Sequence, residues 1–219
     1  GHASGLVTAL PEVFAFPSSP HVGIVDFTNA SVVSALQTIF DEISAVFPSS
    51  YVHCGGDEVS FPTLEKLPEI KAAITRLGLK STTDLYRRFI AQMRDYATKN
   101  KRELIVWEGF APQEGQTGRS THPASSVAIP TDVIVSPFDC FYYPPPQLAA
   151  DGYKIINSCW TPLYIAGGHG QSVELVYRWH PWLFGEVMGH LSWWEVPKAH
   201  RSRVVGVKMA VWQTGAEQT

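Results

Sequence analysis

What this 219-residue chain lacks narrows it quickly. No apolar run reaches the roughly 18 residues of a membrane-spanning helix, so no such span is expected. Cysteine is scarce: Cys54, Cys140 and Cys159 are an odd count without C-x-x-C spacing, which argues against a disulfide framework and against a zinc site. There is no His-x-x-x-His pair and no second compact acidic cluster. Lys and Arg are dispersed and the net charge is only −3, so no basic patch invites a nucleic acid. The start, Gly1-His2-Ala3, has neither an initiating Met nor a signal-like apolar segment. It reads as part of something longer and carries no address.

What is there suits one globular domain over residues 1–219, because 45% hydrophobic and 12% aromatic residues can fill a core. Helical spacing of Val32, Leu36, Ile39, Phe40, Ile43 and Phe47 predicts a helix, with Thr28, Asn29 or Ser31 as cap and Pro48 as stop. A second helix is expected from about Thr83 to Lys99, carrying Leu85, Phe89, Ile90, Met93 and Tyr96 on one face, and a short one from Pro68 to Leu77. Strands are expected at Tyr51, at Leu104–Trp107, Val133–Ser136 and Tyr153–Asn157, and from Val204 to Trp212. Residues 111–131 lack an amphipathic period and read as a loop, and Gln147–Ala150 as a turn. Strands alternating with helices or long crossovers imply a parallel sheet whose site lies at the strands' C-terminal ends.

The organising stretch is Tyr51-Val-His-Cys-Gly-Gly-Asp-Glu-Val59, where a strand-forming run collapses into two glycines and two carboxylates. Gly55 and Gly56 can take positive φ and turn the chain so that Asp57 and Glu58 leave the strand end together. Neighbouring carboxylates repel, and a ligand that separates their environments can leave one ionised and one protonated, which suits acid-assisted bond cleavage. The same string also reads as a strand, a glycine turn and a helix start capped by Asp57 or Ser60. His53, Asp57 and Glu58 as metal ligands are a further alternative.

Trp107, Phe138, Trp160, Tyr164 and Trp212 fall at or just past expected strand ends, and Trp179, Trp182, Trp193 and Trp194 lie in the intervening segment. Large aromatics often belong to cores. Their shared placement around carboxylates is also what a sugar requires: flat faces for its C–H surface and acids for its glycosidic oxygen.

His53-Cys-Gly-Gly-Asp-Glu58 resembles the His-x-Gly-Gly-Asp-Glu signature of the family 20 glycoside hydrolases, the β-N-acetylhexosaminidases. Gly1-His2-Ala3 with Pro11-Glu-Val13, Val106-Trp-Glu108, and Val205 to Trp212 resemble further family segments in order. The resemblance implies an α/β fold, a (β/α)₈ TIM-type barrel, incomplete here because about five strands are legible and the first three are absent. It implies retaining hydrolysis of terminal β-linked N-acetylglucosamine or N-acetylgalactosamine, assisted by the sugar's own acetamido group, on an N-acetylated glycan or chitooligosaccharide. No cofactor or metal is implied, and the setting would be secreted, periplasmic or lysosomal. By position Glu58 would be the general acid, Asp57 the partner of the acetamido N–H, and Tyr164 the hydroxyl on the acetamido oxygen. Trp107, Trp160 and Trp212 would wall the pocket, with His2 and His53 as polar contacts.

Three positions depart from the family pattern: Phe138 stands near an expected Trp, Ala166 where a carboxylate is usual, and Thr214 where a Glu is usual. They put sugar affinity and linkage preference in question rather than reaction type. The rival readings are a non-catalytic sugar-binding fragment and a metal-dependent hydrolase. A partial sheet would expose two edges, so the chain is expected to be covered by a missing N-terminal segment or by another copy.

Overall fold

A computed structural model of the chain describes residues 4–110, 112–115, 124–166, 172–185 and 193–212. Two short helices, α1 (Ser4–Ala9) and α2 (Pro11–Phe14), place Val7 and Phe14 against Val25 and Val32 in a small apolar cluster. Helix α3 (Ala30–Val46) starts at Asn29, whose side chain accepts the Ser31 N–H, and ends before Pro48 as the spacing predicts. It leads into β1 (Tyr51–His53). Then come α4 (Phe61–Leu64), α5 (Pro68–Leu77) and α6 (Thr82–Lys99). Gly78 ends α5 in the left-handed region at φ 64°.

Helix α6 is capped by Ser81, whose hydroxyl accepts the Asp84 N–H. Its Leu85, Tyr86, Ile90, Met93 and Ala97 are buried, and Phe89 packs partly against the same core. Asp84 accepts from Ser125 Oγ at 2.6 Å and from Ser126 N at 2.9 Å, which pins the crossover that follows the next strand.

Next are β2 (Glu103–Trp107), β3 (Ile134–Ser136), α7 (Pro145–Ala150) and β4 (Lys154–Asn157). The turn expected at Gln147–Ala150 is the end of α7. Pro145 and Pro146 open that helix, since the first turn has no intrahelical use for the N–H groups they lack. After β4 follow α8 (Trp160–Leu163), β5 (Tyr164–Ala166), α9 (Val173–Arg178), β6 (Leu183–Gly185), β7 (Trp193–Glu195), a 3₁₀ turn (Lys198–Arg203), β8 (Val204–Val207) and β9 (Ala210–Trp212). No helix among the described residues is long and apolar enough to cross a membrane.

The main sheet has the order β1-β2-β3-β4-β8, every neighbour parallel. All five strands therefore end on one side. His53 pairs with Ile105, Trp107 with Ser136, and Asn157 with Val207. Central β3 is buried throughout, as strands covered on both faces are, whereas β1 and β8 stand at the edges and are partly exposed.

The single last strand expected from Val204 to Trp212 is two. β8 pairs with β4, the Lys208 N–H closes that ladder on Asn157 O at 2.8 Å, and the chain then crosses so that β9 pairs with β5. The tryptophan-rich segment forms an antiparallel pair, β6 with β7, that sequence periodicity did not announce. Trp179, Trp182 and Trp194 pack there against the main core.

Candidate active site

The parallel ladder runs one residue pair past β1. Cys54 N–H reaches Ile105 O and Trp107 N–H reaches Gly55 O, both at 2.9 Å. The chain then turns through Gly55 at φ 71° and Gly56 at φ 95°. A side chain at Gly56 would be strained and crowded: a Cβ there would lie 2.7 Å from the Tyr86 hydroxyl, which donates to Gly56 O at 2.7 Å. Glycine at 109 serves the same packing, since a Cβ there would lie 3.3 Å from Gly56 O and 3.9 Å from the Asp57 Cα. Helix α6 and the exit of β2 thus clamp the turn from two sides.

Out of this clamp come Asp57, half-buried, and Glu58, exposed and itself in the left-handed region at φ 50°. A non-glycine residue there costs about 1–2 kcal/mol, a strain that collects at functional turns. Asp57 is not a helix cap, because α4 starts at Phe61 with Ser60 preceding it.

Trp107 is the hub of the neighbouring surface. Its ring lies 4.9 Å from His53 and 5.5 Å from Phe138, and the Lys208 Nζ sits 3.3 Å from its centroid. The His53 Nδ1 accepts the Gly55 N–H at 3.0 Å, which leaves the proton on Nε2. Desolvation, then the Lys208 charge, pushes His53 down to about 4, so it is neutral at pH 7. Burial likewise lowers Lys208, to about 8, against the opposing pull of the Asp57 charge.

Phe138 connects this corner to a second aromatic pair. Its carbonyl accepts the Trp160 N–H at 2.7 Å, and the Trp160 and Tyr164 rings are 4.9 Å apart. Tyr164 is buried on β5, and its backbone pairs with Ala210. Trp212 is opposite Ala166 in the β5–β9 register, while its side chain, together with His2 and Thr214, lies outside the described residues.

The structure therefore brings Asp57, Glu58, His53 and Trp107 to one end of β1 and β2, and Trp160 and Tyr164 to the corresponding end of β4. Among the described residues no group of three or more His, Cys, Asp or Glu side chains is arranged to hold a metal ion.

Two groups escaped sequence reasoning. Lys208 could have been noticed as a lone charge in the apolar run Val204 to Trp212. Glu108 had no such signal of its role: it is fully buried, and its Oε1 accepts the Asp139 N–H at 2.7 Å and the Cys140 N–H. Burial pushes its carboxyl up to about 8. It ties the loop after β3 to the exit of β2, and the charges of Asp139, Glu58 and Glu108 all act on Tyr142 in that loop, whose phenol is raised chiefly by burial.

Comparison with known proteins identifies the family and the fold. The family described as glycosyl hydrolase family 20, catalytic domain, matches residues 1–219. A beta-hexosaminidase of Akkermansia muciniphila is 30% identical over 137 residues, 58% of this chain and 26% of that protein. The human beta-hexosaminidase subunit beta is 29% identical over 167 residues, 74% of this chain and 28% of its own length. The chain thus spans about a quarter of these relatives.

Among solved structures, a beta-N-acetylhexosaminidase from Bacteroides fragilis superposes on 97% of this chain with a TM-score of 0.65 at 22% identity, using 41% of its own chain. An exo beta-N-acetylglucosaminidase from Vibrio harveyi, in complex with N-acetylglucosamine, does so with a TM-score of 0.69 at 19% identity, over 97% of this chain and 33% of its own. At these identities the superpositions speak for the fold, and the five parallel strands are part of a TIM-type barrel. With the family matched from end to end and the Gly-Gly turn delivering Asp57 and Glu58 to the C-terminal end of that sheet, the chain belongs to the glycosyl hydrolase family 20 catalytic domains.

Proposed function

We propose that the protein bearing this chain removes terminal β-linked N-acetylglucosamine or N-acetylgalactosamine from a glycan or chitooligosaccharide, with retention and with the sugar's 2-acetamido group as nucleophile. The observation that carries this reading is the clamped turn at the end of β1, from which the adjacent residues Asp57 and Glu58 leave the sheet at the same end as Trp107.

In the first step Glu58, in its acid form, gives its proton to the glycosidic oxygen as the bond to the anomeric carbon breaks and the acetamido oxygen bonds to that carbon. Asp57, as a carboxylate, accepts from the acetamido N–H, where positive charge develops in the oxazolinium-like ring. Tyr164 steadies the acetamido oxygen, and Trp107, Trp160 and Trp212 wall the group, with His2 and His53 as polar contacts. In the second step the Glu58 carboxylate takes a proton from water as its oxygen attacks the anomeric carbon. The ring reopens and the β configuration returns. Family 20 departs in this way from retaining glycosidases that use a second carboxylate as nucleophile.

An assay on an aryl β-N-acetylglucosaminide, with and without chelator, tests the reading. Chelator-insensitive release of the aryl group is expected, and metal-dependent release would point to the other hydrolase class. The outer edges of β1 and β8, with which no strand among the described residues pairs, favour a second reading for the 219 residues in isolation, a sugar-binding fragment without turnover. Binding of N-acetylglucosamine with no product would mark that case.

A further inference from the structure

Tyr86 stands on the buried face of α6, its ring edge-on to Phe27 and Phe61 at centroid distances of 5.9 Å and 5.6 Å. A buried tyrosine needs a partner for its hydroxyl. The partner here is at the site: the hydroxyl donates to Gly56 O at 2.7 Å. Glycine at 56 permits the approach, since a Cβ there would lie 2.7 Å from the same hydroxyl. The Gly56 carbonyl belongs to the peptide that joins Gly56 to Asp57. A peptide unit is planar, so holding its oxygen sets the direction in which the chain enters Asp57 and then Glu58. The preceding peptide is held from β2, by the Trp107 N–H on Gly55 O at 2.9 Å. Residues 56–60 belong to no helix or strand, so contacts of this kind do there what a ladder does within a sheet. Nothing in the hydrolytic steps above uses Tyr86.

We propose that Tyr86 is a positioning residue for the hydrolysis: through its hydrogen bond to Gly56 O it fixes the peptide from which Asp57 and Glu58 extend toward the substrate. The proposal rests on the hydrolytic reading and adds a residue to it. Helix α6 gives the hydroxyl a rigid base, because Leu85, Tyr86, Ile90 and Met93 are all buried in the main core. The aim of the turn is thereby tied to the core as well as to the sheet. A small misplacement of a group that acts in the transition state lowers turnover steeply, while ground-state binding, spread over the pocket walls, changes little.

The test uses the full-length protein and two substrates. In a p-nitrophenyl β-N-acetylglucosaminide the leaving group departs with little help from an acid, whereas the β-linked disaccharide of N-acetylglucosamine needs the proton from Glu58. Tyr86→Phe keeps the ring and removes the donor; Tyr86→p-aminophenylalanine keeps both ring and donor. Met93→Ala, about two turns further along the same helix and buried, is the control for loss of packing. Rates are compared below the melting range of every variant. Tyr86→Phe should lose at least about tenfold in kcat on the disaccharide with KM within about threefold, and its loss on the aryl glycoside should be smaller by at least about threefold. Tyr86→p-aminophenylalanine should recover most of the disaccharide rate. Met93→Ala should lower the melting temperature while changing kcat on both substrates by less than about twofold.

Equal losses of Tyr86→Phe on the two substrates, a Phe variant as active as wild type, no recovery with p-aminophenylalanine, or the same selective loss in Met93→Ala would each overturn the role of Tyr86 and leave the hydrolase reading standing. A folded wild-type protein without activity on either substrate would sink the hydrolase reading and this proposal together. If Tyr86→Phe does not melt cooperatively, Tyr86→Met, flexible enough to refill the space and equally without a donor, decides by the same criteria.

Discussion

Glu58 carries a left-handed backbone at φ 50°, and that conformation makes sense if its carboxyl must be aimed rather than merely exposed. Replacing it by Gln keeps the shape and removes the transferable proton. Glu58→Gln should therefore lower kcat on an unactivated glycan by about 10²–10⁴-fold while KM changes little. A near wild-type rate would remove Glu58 from the role of acid. Asp57→Asn should lose turnover on N-acetyl sugars, and plain glucosides should be poor substrates because they lack the attacking oxygen. An oxazoline-like analogue should bind at least about 100-fold more tightly than the product sugar. Trapping of a glycosyl ester on a protein carboxylate would contradict substrate assistance. At Gly56, φ 95° and the nearby Tyr86 hydroxyl both resist a side chain. Gly56→Ala should cost about 1–3 kcal/mol in urea unfolding. Adding Tyr86→Phe relieves the crowding but not the backbone strain, so the double variant should recover only part of the loss.

Among the elements, the exits of β1, β2 and β3 are tied to one another by groups that carry no surface signal in the sequence. Glu108 is the clearest: fully buried, with Oε1 on two loop N–H groups and Oε2 without a hydrogen-bond partner among the described residues. Its carboxyl, raised from 4.5 to about 8 mainly by burial, is protonated in the folded chain over a range where the unfolded chain has released the proton. The folded state then binds more protons, so stability falls as pH rises between those two values. The contribution is full below the lower one and gone above the higher, at a rate of up to about 1.4 kcal/mol per pH unit. Glu108→Gln should flatten this part of the profile in denaturant titrations from pH 4 to pH 9; identical slopes for the two proteins would show that Glu108 does not titrate in that window. Helices α3, α5 and α6 were legible because their apolar residues keep a 3.6-residue spacing, and the structure ends them at Asn29, Gly78 and Ser81; the short α4, α7 and α9 offer too few turns for a period to show. The break between β8 and β9 and the β6–β7 pair were not, since which neighbour a short strand joins is a nonlocal choice.

At the scale of the whole sheet, no strand among the described residues pairs with the outer edges of β1 and β8. Tyr51 on β1 is 49% exposed, Val205 on β8 is 50%, and Val46 and Phe47 beside the first edge are 71% and 63% exposed. Such edges pair with other chains unless something covers them. We expect the 219 residues in isolation to self-associate or to require a covering segment or second copy, and light scattering checks this; a soluble, active monomer at low concentration would show that five strands close a core unaided. The sequence by itself determined the parallel α/β plan and the pairing of Asp57 with Glu58 at a strand end. Both are local: hydrophobic period, caps and two adjacent glycines act within a few residues. Only the tertiary structure decided that Trp107 backs that turn, that Phe138 joins the two aromatic pairs, that Lys208 turns its charge inward and that Glu108 is sealed in the core. Those outcomes depend on which strands become neighbours and how much water their packing removes, and neither is written in the spacing of residues along one segment.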